Sequence, residues 1–134
     1  MLIAVQTEGY NMSDELSRLP PQVQERLLRL QQLQQTLQSV LAQKQQVDLE
    51  KTEVEQTVAE LQKTADDVVV YKAAGSLLIK GEKAKITEEL VERKELLNTR
   101  STVLTRQEER LRSQVKEAQT KLQEDLRPVS PSSE

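Results

Sequence analysis

The chain contains no histidine and no cysteine, so imidazole acid–base catalysis, thiolate nucleophiles, disulfides and the common zinc sites are all missing from its repertoire. What remains is charge. Arg106, Arg110 and Arg112 interleave with Glu108 and Glu109, which describes an ion-paired surface, and no aromatic platform accompanies the arginines on which a base could stack. A formal net charge of −3 adds no pull toward a phosphate backbone or an anionic membrane. The other carboxylates are scattered at helical spacing, where surface ion pairs account for them better than acid–base work does. Gly75 and Gly81 stand alone, without the loop of glycines followed by lysine that cradles phosphate. The residues therefore predict no enzyme, no catalytic residue, no cofactor, no metal site, no nucleic-acid partner and no membrane partner.

The chemistry left is apolar association, and it is densest in VVVYKAAGSLLIK, residues 68–80. Val68, Val69, Val70 and Tyr71 on one side and Leu77, Leu78 and Ile79 on the other suit a pleated surface. The spacing predicts a β-hairpin whose three-residue loop is Ala73-Ala74-Gly75, with Gly75 taking a positive φ and Lys72 opposite Ser76. Alternate residues on both faces of this ribbon are apolar, and one hairpin cannot bury two faces. A lone two-stranded ribbon is marginal in water and its edges invite further strands. The expected role is assembly: the sheet is completed by hairpins of other subunits.

Long helices must carry this hairpin. Only 1% of the 134 residues are aromatic, 36% are hydrophobic and 31% are charged, which suits an elongated helical protein with a thin core and not a globular domain. The arrangement predicted is an arm over 1–19, a helix over 20–66, the hairpin over 67–80, a second helix over 81–127 and a disordered tail over 128–134. Pro20-Pro21 starts the first helix, because proline at the first helical position gives up only an N–H that has no partner. Gly81 reads as the N-cap of the second helix, followed by Glu82. No apolar run is long enough to span a membrane. The opening residues lack the basic start of a secretory signal, so a cytoplasmic location is expected, and Met12 is an alternative initiator.

Both helices carry heptads. In the first, Val23, Arg26, Leu30, Leu33, Leu37, Val40, Lys44, Val47, Lys51, Val54, Val58, Leu61 and Ala65 alternate by three and four. In the second, Leu90, Lys94, Leu97, Ser101, Leu104, Glu108, Leu111, Val115, Ala118, Leu122 and Asp125 do the same. Such a run predicts an antiparallel coiled coil folded back by the hairpin, with helices of roughly 65 to 70 Å. The register places Leu61 against Leu90, Val54 against Leu97, Val47 against Leu104, Val40 against Leu111 and Leu33 against Ala118. The intervening layers set Leu37 with Val115, Leu30 with Leu122 and Lys44 with Glu108, and Arg26 faces Asp125 near the free end. Either these ion pairs select the register, or their stems line the seam with heads in water and add little. The second reading is preferred for Arg26; for Lys44 both stay open.

Three segments together point to a family. The opening PPQVQ (residues 20–24), the centre DDVVVYKAAGSLLIK (66–80) and LLNTRSTVLTRQEERLRSQVKEAQTKLQ (96–123) resemble the single-hairpin β subunits of archaeal-type prefoldin over about 20–127. Tyr71, Lys72, Gly75, Leu77 and Lys80 in the hairpin, and Arg106 to Leu111 in the second helix, fall where that family has comparable segments. The resemblance implies a hexamer of two α and four β subunits, in which hairpins close into β-barrels and coiled coils hang as tentacles. It also implies that the tips hold non-native polypeptides without ATP and deliver them to a group II chaperonin.

The residues themselves support such a holdase. Near the free end the apolar side chains exceed what a seam needs: Leu27 and Leu28 flank it, Leu126 falls just off register, and Leu16, Leu19 and Val129 lie close by. With Val23 and Leu122 they form the expected client-binding tip, since exposed apolar surface marks an interaction site and several weak patches around one cavity bind by avidity. For any one leucine, a widened helix contact explains the position equally well. Leu96 and Val103, midway, are expected to pack and not to touch clients. The rival function is a coiled-coil adaptor or scaffold that joins folded partners, which calls for rigid, well-paired tips.

Overall fold

The computed structural model describes residues 17–127. Leu16, Val129, Met12 and the rest of the expected arm and tail lie outside them. The order of elements is α1 (Pro21–Gln62), β1 (Val69–Ala74), β2 (Leu77–Glu82) and α2 (Lys83–Leu126). The fold is mainly α: two long helices joined by one antiparallel hairpin.

Helix α1 begins where the proline pair places it. The Pro20 carbonyl accepts from the N–H of Val23 at 3.0 Å and of Gln24 at 3.1 Å. The Gln24 side chain reaches back, donating to the Leu19 carbonyl at 2.8 Å and the Ser17 carbonyl at 3.4 Å. Residues 17–19 are thus tied to the first turn of α1, where the sequence had suggested a free arm. Six threonines inside the helices are satisfied locally: Thr36, Thr52, Thr57, Thr99, Thr102 and Thr120 each donate the hydroxyl to the carbonyl four residues earlier.

The other end of α1 falls short of the expected Ala65. The helix tightens as the Lys63 N–H bonds to the Glu60 carbonyl and the Thr64 N–H to the Leu61 carbonyl, to which the Thr64 hydroxyl also donates at 2.6 Å. Lys83, the first residue of α2, donates to the Thr64 carbonyl at 2.7 Å, placing a cation at the carbonyl end of α1 where the helix dipole favours it. Ala65 is exposed and lies beyond the helix.

The hairpin differs from expectation in its turn and its length. The register pairs Ala74 with Leu77, Lys72 with Ile79 and Val70 with Gly81, so the loop is the two residues Gly75-Ser76, and Lys72 does not face Ser76. Gly75 has φ +63°, and no other described residue has positive φ. This is the sign pattern of a type II′ turn, which follows the twist of the strands. Gly81 is no N-cap, because β2 continues through it to Glu82. A Cβ on Gly81 would lie 2.6 Å from Cδ1 and 3.2 Å from Cγ1 of Ile86, so glycine here permits strand β2 to lie close against the first turn of α2.

Among the described residues, those up to Gln38 together with those from Glu109 onward form one compact unit, and Ser39–Glu108 form the other. Within Ser39–Glu108 the helices run antiparallel, as Lys44 Nζ meets Glu108 Oε1 at 2.9 Å, Arg93 pairs with Glu50, and Lys94 Nζ lies 3.8 Å from Glu55 Oε1. Val40, Val47, Val54, Leu97 and Leu104 are buried; Leu61 and Leu90 are half-buried. In the unit holding the free end, Val23, Leu33, Leu37 and Leu122 are buried, with Leu111, Val115 and Ala118 half-buried. Leu96 and Val103 do not pack as expected: they are 51% and 45% exposed. Each precedes a buried leucine by one residue, and a step of about 100° around the helix is enough to turn it outward.

The contrast predicts unequal costs along α2. Leu97→Ala, at a fully buried position (0% exposed), should cost about 2 to 5 kcal/mol in urea unfolding, while Leu96→Ala should stay within about 0.5 kcal/mol. Gly81→Ala must displace the end of the Ile86 side chain, at a cost of about 0.5 to 1.5 kcal/mol. Combining it with Ile86→Val should recover part of that loss in the same measurement.

Candidate binding surfaces

The strand register sorts the hairpin side chains into two faces. One carries Val69, Tyr71 and Ala73 with Leu78, Lys80 and Glu82; the other carries Val70, Lys72 and Ala74 with Leu77, Ile79 and Gly81. The second face turns toward α2. Gly81 approaches Ile86, and Lys72 Nζ pairs with Glu89 Oε2 at 3.2 Å. At the strand ends near the helices, Val68 and Val70 are half-buried. Toward the turn this face is open, with Leu77 and Ile79 exposed.

The first face is bare along its length. Val69, Tyr71 and Leu78 are 53%, 60% and 71% exposed. Of the residues assigned to the hairpin, Val68 precedes β1; the others lie on one small ribbon, where Val69, Tyr71, Leu77, Leu78 and Ile79 meet water. Beneath the second face Lys72, Ile79, Lys85, Ile86 and Glu89 border a shallow groove, which is apolar at its base and charged at its rim.

At the end of the helices opposite the hairpin in sequence, the expected tip residues separate into two sets. Val23 and Leu122 are buried, at 5% and 9% exposure, so their side chains belong to the seam and are withdrawn from the group that could meet a client. Leu28 and Leu126 are exposed, while Leu19 and Leu27 are half-buried. Arg26 sits among them, with Nη1 2.6 Å from Asp125 Oδ2 and donating to the Lys121 carbonyl at 3.0 Å. Its head is engaged and only 29% exposed, unlike the solvated head the sequence favoured. Lys44 likewise holds Glu108 with side-chain exposures of 29% and 16%.

Sequence reasoning missed Arg93–Glu50 and Lys94–Glu55. The register does not point to the first: Glu50 and Arg93 each lie four residues before Val54 and Leu97, and in antiparallel helices equal backward steps from a matched pair lead in opposite directions, so only the reach of the two long side chains joins them. The link from Lys83 to Thr64 was hidden for another reason, because it depends on where α1 stops. Among the described residues no group of three or more acidic side chains could hold a metal ion, and no helix is long and apolar enough to cross a membrane.

Comparison with known proteins matches these features. The family described as prefoldin subunit matches residues 24–128. A prefoldin subunit beta of Methanothrix thermoacetophila is 46% identical over 113 residues, covering 84% of this chain and 94% of the relative. The Archaeoglobus fulgidus prefoldin subunit beta is 47% identical, covering 84% and 97%. The crystal structure of the prefoldin beta subunit from Thermococcus strain KS-1 superposes with a TM-score of 0.74 at 44% identity, covering 84% of this chain and 98% of that one. One hairpin between two long helices, with the family match running over residues 24–128, has one consistent reading: the chain belongs to the prefoldin subunit family and is similar to its β subunits.

Proposed function

We propose that this chain is the β-class subunit of an ATP-independent holdase, a hexamer of two α and four β subunits that acts in the cytoplasm. The observation that carries the reading is the hairpin, whose apolar residues are exposed on both faces. Burying a large apolar side chain stabilises by about 1.5 to 3 kcal/mol, and a ribbon carrying Val69, Tyr71, Leu77, Leu78 and Ile79 in water gains that only from neighbours. Hairpins of the α-class and other β-class subunits, closing into β-barrels, would supply it.

Client capture is assigned to Leu27, Leu28 and Leu126, with Leu19 beside them. Leu28 and Leu126 are more than half exposed at the end of the helices where the chain leaves them, and a non-native polypeptide offers the apolar segments that would cover them. Each contact is small, so retention depends on several subunits gripping one client. Transfer to a group II chaperonin is part of the proposal, supported by the family relationship.

A second reading, the adaptor that joins folded partners, draws on the Arg26 contacts with Asp125 and Lys121, which hold the tip in one arrangement as a rigid docking end would be held. The two are separated by clients: an adaptor has no effect on a denatured protein.

Two experiments test the proposal. Mixing the chain with an α-class prefoldin subunit should give the hexamer in multi-angle light scattering, and Tyr71→Ser with Leu78→Ser should leave helical circular dichroism intact but reduce the hexamer to smaller species. Continued hexamer formation by that variant would remove the hairpin from assembly. In the assembled protein, Leu27→Ser, Leu28→Ser and Leu126→Ser together should abolish suppression of aggregation of a denatured test protein, in the absence of nucleotide. Undiminished suppression would reassign the client site.

A further inference from the structure

In the unit that holds the free end, the seam has one thin layer. Where α1 contributes Leu33, buried to 5% exposure, α2 contributes only Ala118, and the two residues border a hollow of about 350 Å³. Arg26, Arg29, Glu117 and Lys121 stand around it. Three cations thus face one carboxylate. Arg26 is engaged with Asp125 at 2.6 Å and Lys121 with Glu117 at 3.1 Å. Arg29 is exposed and has no acidic partner among the described residues.

The hollow is separate from the leucine surface. Arg29 and Lys121 follow the seam residues Arg26 and Ala118 by three, whereas Leu27 and Leu126 follow Arg26 and Asp125 by one. With 3.6 residues per turn, these offsets point to opposite flanks of the seam. A volume near 350 Å³ lies at the small end of ligand sites and suits one large side chain, not a folded partner.

We propose that this hollow is a second client subsite, taking a bulky apolar side chain, aromatic by preference, that is flanked by carboxylates in an extended segment of a non-native polypeptide. The inference rests on the holdase reading. Leu33 and Ala118, with the aliphatic stems of Arg26 and Lys121, form an apolar floor. A guanidinium over the rim favours an aromatic face, and Arg29 is placed to meet the flanking carboxylate. Ala118 keeps the floor of the site open: a leucine there would project into it and narrow it.

The test uses the full chain assembled with an α-class subunit and a fluorescent peptide in which phenylalanine is flanked by glutamates. Anisotropy should report salt-sensitive binding, weakened about tenfold by Ala118→Leu, the loss expected when one apolar side chain goes unburied. Arg29→Glu, at the surface and harmless to folding, should weaken it several-fold, and a lysine-flanked peptide should bind less well than the glutamate-flanked one. Equal affinity for the two peptides, or binding unchanged by both variants, overturns the subsite. If the wild-type assembly suppresses aggregation while that happens, the holdase reading stands and only the subsite fails; if it suppresses nothing, the holdase reading itself has failed.

Discussion

A two-stranded ribbon has two faces, and this one is apolar on both. Backbone hydrogen bonds between β1 and β2 satisfy only the inner edges of the pair, and the outer edges still carry unpaired N–H and C=O groups. One face is partly covered because Gly81 lets Ile86 come against it; on the other, Val69, Tyr71 and Leu78 stay exposed among the described residues. Under the proposed assembly both deficits, apolar surface and open edges, are met by the same neighbours. The ribbon is then poorly stable alone and well satisfied in company, which suits an obligate subunit.

The junction around that ribbon is held by charge and by a missing side chain. Lys83 bonds the Thr64 carbonyl just beyond α1 while starting α2, Lys72 ties the strand to Glu89, and glycine at 81 removes the atoms that would push the strand away. The ion pairs Lys72–Glu89 and Lys83–Asp66 each include a well-exposed partner, so each adds little to stability. Their effect is on direction, since a strand and a helix anchored at two points have fewer ways to lie. Along the helices the division is different. Leucine and valine supply the energy, and Lys44–Glu108 and Arg26–Asp125 sit at layers where a slip of one heptad would set a charge against an apolar side chain.

Heptads at three-four spacing, a proline pair and a β-branched cluster made most of this architecture legible in advance. Two long helices with a hairpin between them, and the register that sets Lys44 near Glu108 and Arg26 near Asp125, could be read because each rests on local periodicity. The failures lie where periodicity ends. Ala65 continued the heptad on paper, but Thr64 turned its hydroxyl onto Leu61 and the helix closed. Gly81 looked like a cap because glycine is common there, and only the position of Ile86 reveals it as a point of close approach.

By itself the sequence determined the element types and the lack of histidine and cysteine, since these follow from composition and from the 3.6-residue turn. The tertiary structure decided how much of each side chain is left over. Val23 and Leu122 go into the seam while Leu28 and Leu126 remain outside, Leu96 and Val103 turn to solvent, and the loop shortens to Gly75-Ser76. Exposure is a property of what packs opposite, and no single strand of sequence contains its own opposite. The same limit hid the hollow beside Ala118, which residues of both helices, Leu33 among them, border together.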